Sequence, residues 1–167
     1  AIDLCNLKSL TIDNTIISAG NCEYQALYFG NILNLTIKNS DINVSSNDYM
    51  ATCFYNCTVN IQNSKFVSNQ IFDEADPGSL SDYKVGIALS DSELYVKDSV
   101  ISASGNCGGI LSERRNYNAK IASLDPGDED YEEDLAHYTA VKTNHPFGTP
   151  VISFENSDLT VSCAKGF

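Results

Sequence analysis

Leu10–Ile17 reads LTIDNTII, and the same eight-residue phrase returns as LTIKNSDI from Leu35, VNIQNSKF from Val59 and LYVKDSVI from Leu94. A weaker copy, LTVSCAKG, starts at Leu159. Read by column, the first position is Leu, Leu, Val, Leu, Leu and the third is Ile, Ile, Ile, Val, Val. Apolar, β-branched residues two apart describe a short strand, because alternate side chains of a strand share one face. A helix would need spacings of three and four, which the phrase lacks. The fifth column holds Asn14, Asn39, Asn63 and Asp98, and Ser or Thr follows each. Asn and Asp tolerate the left-handed backbone of a bend, so each strand is expected to end in one.

A second strand signature lies eight or nine residues before each phrase. It reads AIDL from Ala1, ALYF from Ala26, ATCF from Ala51, GIAL from Gly86 and VISF from Val151. A degenerate copy starts at Gly108, GGIL. Ala1, Ala26 and Ala51 repeat at a fixed interval, and Gly86 follows after a longer one. A repeat of this size, made of short strands and turns, cannot bury its inward side chains alone and must stack on its neighbours. The expected fold is therefore all-β, a right-handed parallel β-helix (a solenoid) of about five to six coils. It forms a single domain over 1–167. At an inter-strand spacing of roughly 4.8 Å the stack would be about 25–30 Å tall. Asn14, Asn39, Asn63 and Asp98 would form a stacking ladder at one bend.

Two stretches interrupt the repeat, at about 71–84 and 113–149. The second carries Asp125, Asp128, Glu129, Asp130, Glu132, Glu133 and Asp134. Insertions on repeat scaffolds build functional surface, so activity is sought there first. Asp128, Asp130 and Glu132 supply the hard oxygen ligands of a calcium site. They do not follow the EF-hand pattern, since Glu133 and Thr139 fall where that loop needs Gly and an acid. A solvated acidic loop is the competing reading, and the favoured one. Leu135, Ala136, Tyr138 and Val141 suggest a short helical turn within the insertion.

The formal charge of −12 argues against nucleic acid or an anionic bilayer as partner. No run of 18 apolar residues is present, so no membrane-inserted helix is expected. Six cysteines, Cys5, Cys22, Cys53, Cys57, Cys107 and Cys163, match no zinc spacing. Few charges and abundant Asn, Ser and Thr favour disulfides in a secreted or cell-surface protein, with free buried thiols as the alternative.

The phrase LTIxNSxI followed by Ser and Asn resembles the parallel β-helix repeats of the pectin-lyase-like superfamily. The FxxN of Phe66–Asn69 and the GGI of Gly108–Ile110 are similar to motifs of the polymorphic outer-membrane protein and adhesin-like branch. That resemblance implies an extracellular, non-catalytic structural or adhesive module. Surface display or end-to-end fibre assembly is its expected role. Its partners would be a protein or glycan surface, or a second copy stacked head to tail, with Cys5 and Cys163 meeting at the junction.

The alternative is a pectin-lyase-like module that binds or cleaves polysaccharide. Lyases of that class use an arginine base beside calcium-binding carboxylates, and this chain offers only Arg114 and Arg115. Arg114 with the acidic insertion is the least implausible centre, and no catalytic residue is assigned. No cofactor is expected beyond the calcium weighed above. Tyr28, Tyr55 and Tyr95 are expected to face outward and offer contact surface. Thr11, Thr36, Asn60, Tyr95 and Thr160 are too irregular for an ice-binding face.

Overall fold

A computed structural model describes residues 1–71, 84–145 and 151–163. In chain order its elements are β1 (Ile2–Asp13), β2 (Ile16–Cys22), β3 (Leu27–Lys38), β4 (Asp41–Ser46), β5 (Thr52–Tyr55), β6 (Thr58–Gln62) and β7 (Lys65–Gln70). They continue with β8 (Val85–Ser90), β9 (Glu93–Lys97), β10 (Val100–Gly105), β11 (Gly108–Glu113), α1 (Tyr117–Ala122), α2 (Tyr131–Asn144), β12 (Ile152–Glu155) and β13 (Asp158–Cys163). One sheet has eight strands in the order β11-β8-β5-β3-β6-β9-β12, with β1 also paired to β3. The other has five, β13-β10-β7-β4-β2. All described pairings are parallel.

The expected β-helix solenoid is therefore corrected. The strands build a curled half-barrel sheet with further parallel sheet beside it and two helices, a mixed α/β arrangement. The physical reason lies in β1 and β3, twelve residues each. Each runs through the expected boundary between the two strand signatures, so β5 and β6 pair with the same long strand. Asn6 and Asn31, at φ 60° and 55°, bend those strands without ending them. Both helices fall at 117–144, inside the expected second insertion, where a short helical turn was expected and α2 runs for 14 residues.

Register follows the columns read from sequence. Leu10 pairs with Leu35, Leu35 with Val59 and Val59 with Leu94. The fourth position of the second signature gives Leu4, Phe29, Phe54 and Leu89 in one row. These inward residues form the core, with the Phe29 and Phe54 rings stacked at 5.5 Å and Phe66 tilted against Phe54. The fifth copy differs from the reading above. Ile152, not Leu159, pairs with Leu94, and Leu159 pairs with Ile101. The true copy is ISFENSDL, with Asn156 and Ser157 in the bend columns. Cys163 thus does not continue the Asn column, and 164–167 lie outside the described residues. The expected first insertion also falls almost wholly outside them, at 72–83.

The bends carry a repeated hydrogen-bond pattern. Among the described residues, every non-glycine at positive φ is Asn or Asp, and nine of these ten fall in two columns. Asn14, Asn39, Asn63 and Asp98 form the expected one, extended by Asn156; Asn6, Asn31, Asn56 and Asp91 form another. Asn31 Nδ2 donates to Asn6 Oδ1 at 3.0 Å and Asn56 Nδ2 to Asn31 Oδ1 at 2.8 Å. Beside the first column runs a serine zipper. The amides of Ser40, Ser64 and Ser99 donate to the hydroxyls of Ser64, Ser99 and Ser157 at 3.0–3.1 Å. Each hydroxyl in turn donates to the carbonyl two residues before it at 2.7 Å, as Ser64 does to Gln62.

The expected disulfides are also corrected, since none of the six cysteines forms one. Cys57 faces the main core and Cys53 a separate apolar cluster with Met50 and Cys107, so their side chains diverge across the bend. Both behave as small buried apolar groups. Burial pushes their pKa values up to about 12 for Cys53 and about 11 for Cys57. Cys5 lies on the edge strand β1, its thiol donating to Asp3, and Cys163 donates to the Asn106 carbonyl.

Ser64→Ala removes an acceptor from the buried Ser40 amide, so its unfolding free energy should fall by about 1–3 kcal/mol in urea titration. Ser64→Thr, which keeps a hydroxyl, should recover most of that loss.

Candidate functional site

Outward positions of the eight-stranded sheet should be polar, since strand side chains alternate between core and solvent. One outward row breaks this rule. Tyr28 pairs with Cys53, Cys53 with Ala88 and Ala88 with Leu111. Met50, Cys53, Val85, Ala88 and Cys107 form a buried cluster on this face, with Tyr28, Tyr49, Tyr55 and Leu111 packed around it. Above it opens a groove of about 280 Å³. Tyr28, Tyr49, Tyr55 and Met50 line its apolar part; Gln25, Ser90 and Arg115 bring polar groups.

Each wall has a local cause. Gly30 makes room for Tyr28, because a Cβ there would meet the Tyr28 ring at 2.8 Å. The Ser46 hydroxyl donates to the Tyr49 carbonyl and fixes the turn that presents Tyr49 and Met50. On the far side Asp91, fully buried at φ 50°, joins strand to helix. It accepts from the Arg115 amide at 2.8 Å and the Tyr117 hydroxyl at 2.6 Å. Arg115 then lies over the Tyr55 ring at 5.8 Å and donates to Glu113 at 3.0 Å. Burial works against the Arg115 charge, but Glu113 and Asp91 hold its pKa above the ordinary arginine value. α2 closes this end, with His137 Nε2 2.8 Å from the Tyr55 hydroxyl and Tyr138 packed on Tyr117. Burial raises the Tyr55 and Tyr117 pKa values, so both phenols stay neutral.

Below α2 lies a second cluster. Arg114 is buried, its side chain 4% exposed, and pairs with Glu93 at 3.2 Å. Its Nε and Nη1, and both ring nitrogens of His145, have no hydrogen-bond partner among the described residues. Burial and the nearby Arg114 charge lower the His145 pKa from 6.5, while Glu93 and Asp91 pull weakly the other way.

The residues singled out from sequence are distributed differently. Asp128 sits in the turn before α2, Asp130 is the helix N-cap and Glu132 lies in the first turn with Glu133 and Asp134. Acids at that end offset the helix dipole. Among the described residues no group of three or more His, Cys, Asp or Glu gathers to hold a metal ion. Arg114 meets Glu93 and not the acidic run. Tyr28 and Tyr55 do share a site, whereas Tyr95 lies apart, bonded to Glu93. Gln25, Tyr49, Met50 and Arg115 were not anticipated. The available signal was the third position of the second signature, which reads Tyr28, Cys53, Ala88 where alternation demands polar residues.

No protein-family model matches the chain, and neither the curated proteins nor the solved structures provide a match.

In the folded protein His145 resists protonation, whereas in the unfolded chain it binds a proton near 6.5. Its contribution to stability is therefore complete above about pH 7 and is lost as pH falls through the unfolded value toward the depressed folded one. Thermal melts at about pH 7.5 and about pH 5 should show a larger drop for the native chain than for His145→Leu.

Proposed function

We propose that this chain is a non-catalytic adhesive module, secreted or displayed on a cell surface, which holds its ligand in the tyrosine groove. The observation that carries this reading is the outward apolar row of Tyr28, Cys53, Ala88 and Leu111, framed by Tyr49, Tyr55 and Arg115. Tyrosine provides large, flat contact area with a polar tip, and few rotamers are frozen when it binds. The walls rest on parallel strands and on a fully buried aspartate, so the site is built before the ligand arrives.

Chemistry in the groove has little support from its thiol and phenols. Burial keeps Cys53 protonated at neutral pH, and a neutral thiol is a poor nucleophile. Tyr55 and Tyr117 are likewise held as phenols. The buried Arg114 is tied to Glu93. The net charge of −12 favours uncharged or basic partner surfaces over nucleic acid.

The test is a binding screen on immobilised glycans and extracellular matrix proteins, run beside a polysaccharide-cleavage assay with and without calcium. The native chain should bind at least one panel member. A Tyr28→Ser/Tyr49→Ser double variant with an unchanged melting temperature should bind it about tenfold more weakly. Equal binding by the variant, no binding by the native chain, or cleavage abolished by Arg114→Ala would each overturn the proposal.

A further inference from the structure

We propose that the tyrosine groove takes a neutral hexopyranose residue, such as the terminal sugar of a glycan. This rests on the adhesive reading above and specifies its ligand. Three features select that chemistry. The groove volume, about 280 Å³, falls just below the roughly 300–1,000 Å³ typical of small-ligand sites, which suits a short ligand or the end of a longer one. Its surface is mixed: tyrosine rings and Met50 offer apolar faces for the C–H side of a pyranose. Gln25, Ser90 and the Tyr28 hydroxyl offer donors and acceptors for its hydroxyls.

Charge decides between sugar classes. Among the described residues Arg115 is the one charged side chain lining the groove, and its charge is already balanced by Glu113 at 3.0 Å and Asp91 at 4.0 Å. A ligand carboxylate would compete with Glu113 for the guanidinium and approach a protein of charge −12. A ligand ammonium would be set against Arg115 itself. A neutral, hydroxyl-rich ring meets neither obstacle. Ser90 donates to Glu113, which leaves its oxygen lone pairs for a ligand hydroxyl.

The experiment is an amide-resolved NMR titration of the full chain with methyl hexopyranosides. The matching methyl uronates and 2-amino sugars serve as charged counterparts. Shifts caused by a neutral glycoside should centre on Tyr28, Cys53, Tyr55 and Ser90. Gly30→Ala, which pushes the Tyr28 ring aside, should weaken binding about tenfold, as should Tyr49→Ser. Thr36→Ala, on a different outward row, should leave it unchanged. Binding of only charged sugars, shifts centred elsewhere, or no response to any sugar would overturn this inference. If the adhesion screen nevertheless yields a groove-dependent ligand, the adhesive reading stands without it; if the screen fails too, both fall.

Discussion

Parallel, in-register stacking of like residues is the constraint on which the rest of this structure depends. A parallel pair keeps each residue beside its counterpart, so Leu10, Leu35, Val59 and Leu94 fall in one row, and Ile12, Ile37, Ile61 and Val96 in the next. A slip of one residue would turn each inward row to solvent. The bends prevent that slip. Only a side chain tolerant of left-handed backbone fits there, and the Ser64 and Ser99 hydroxyls capture amides of the preceding repeat at 3.0–3.1 Å. Register is therefore written twice, once in apolar burial and once in bend chemistry.

The groove inherits its geometry from the same constraint. Tyr28 and Cys53 are neighbours because Leu27, Phe29 and Phe54 are locked on the inward side of the same strands. Asp91 occupies the bend column of Asn6, Asn31 and Asn56, but its carboxylate turns from ladder bonding to the Arg115 amide and the Tyr117 hydroxyl. One substitution in a structural column thus anchors the departure of the chain into α1 and α2. The helical pair is held to the sheet by polar contacts, Tyr55 to His137 and Tyr117 to Asp91, beside the tilted ring pair of Tyr117 and Tyr138.

Much of the strand register was legible in the sequence, because β-branched residues two apart followed by Asn-Ser leave few alternatives. The overall architecture was not. Nothing in the phrase says whether a bend ends a strand or merely curves it, and at Asn6 and Asn31 the strand continues. The Asn6, Asn31 and Asn56 column went unread because its neighbours differ, with Leu7, Ile32 and Cys57 following in turn. The last copy was misplaced by seven residues, since LTV from Leu159 mimics the opening of the phrase while ENS at Glu155–Ser157 holds its bend. Burial chemistry misled the reading of the cysteines, as a small apolar thiol and half a disulfide look alike in sequence. Of the site, only Tyr28 and Tyr55 were placed outward; Arg115 on its far wall is positioned by Asp91 in a segment that carries no repeat signal.

Methyl-resolved NOE spectroscopy on the labelled chain tests the stacking most directly. Strong cross-peaks are expected from Leu35 to Val59 and from Val59 to Leu94, with none from Leu35 to Leu94, two strands apart. Absence of the first two, or amide contacts that indicate antiparallel neighbours at β3 and β6, would contradict that stacking.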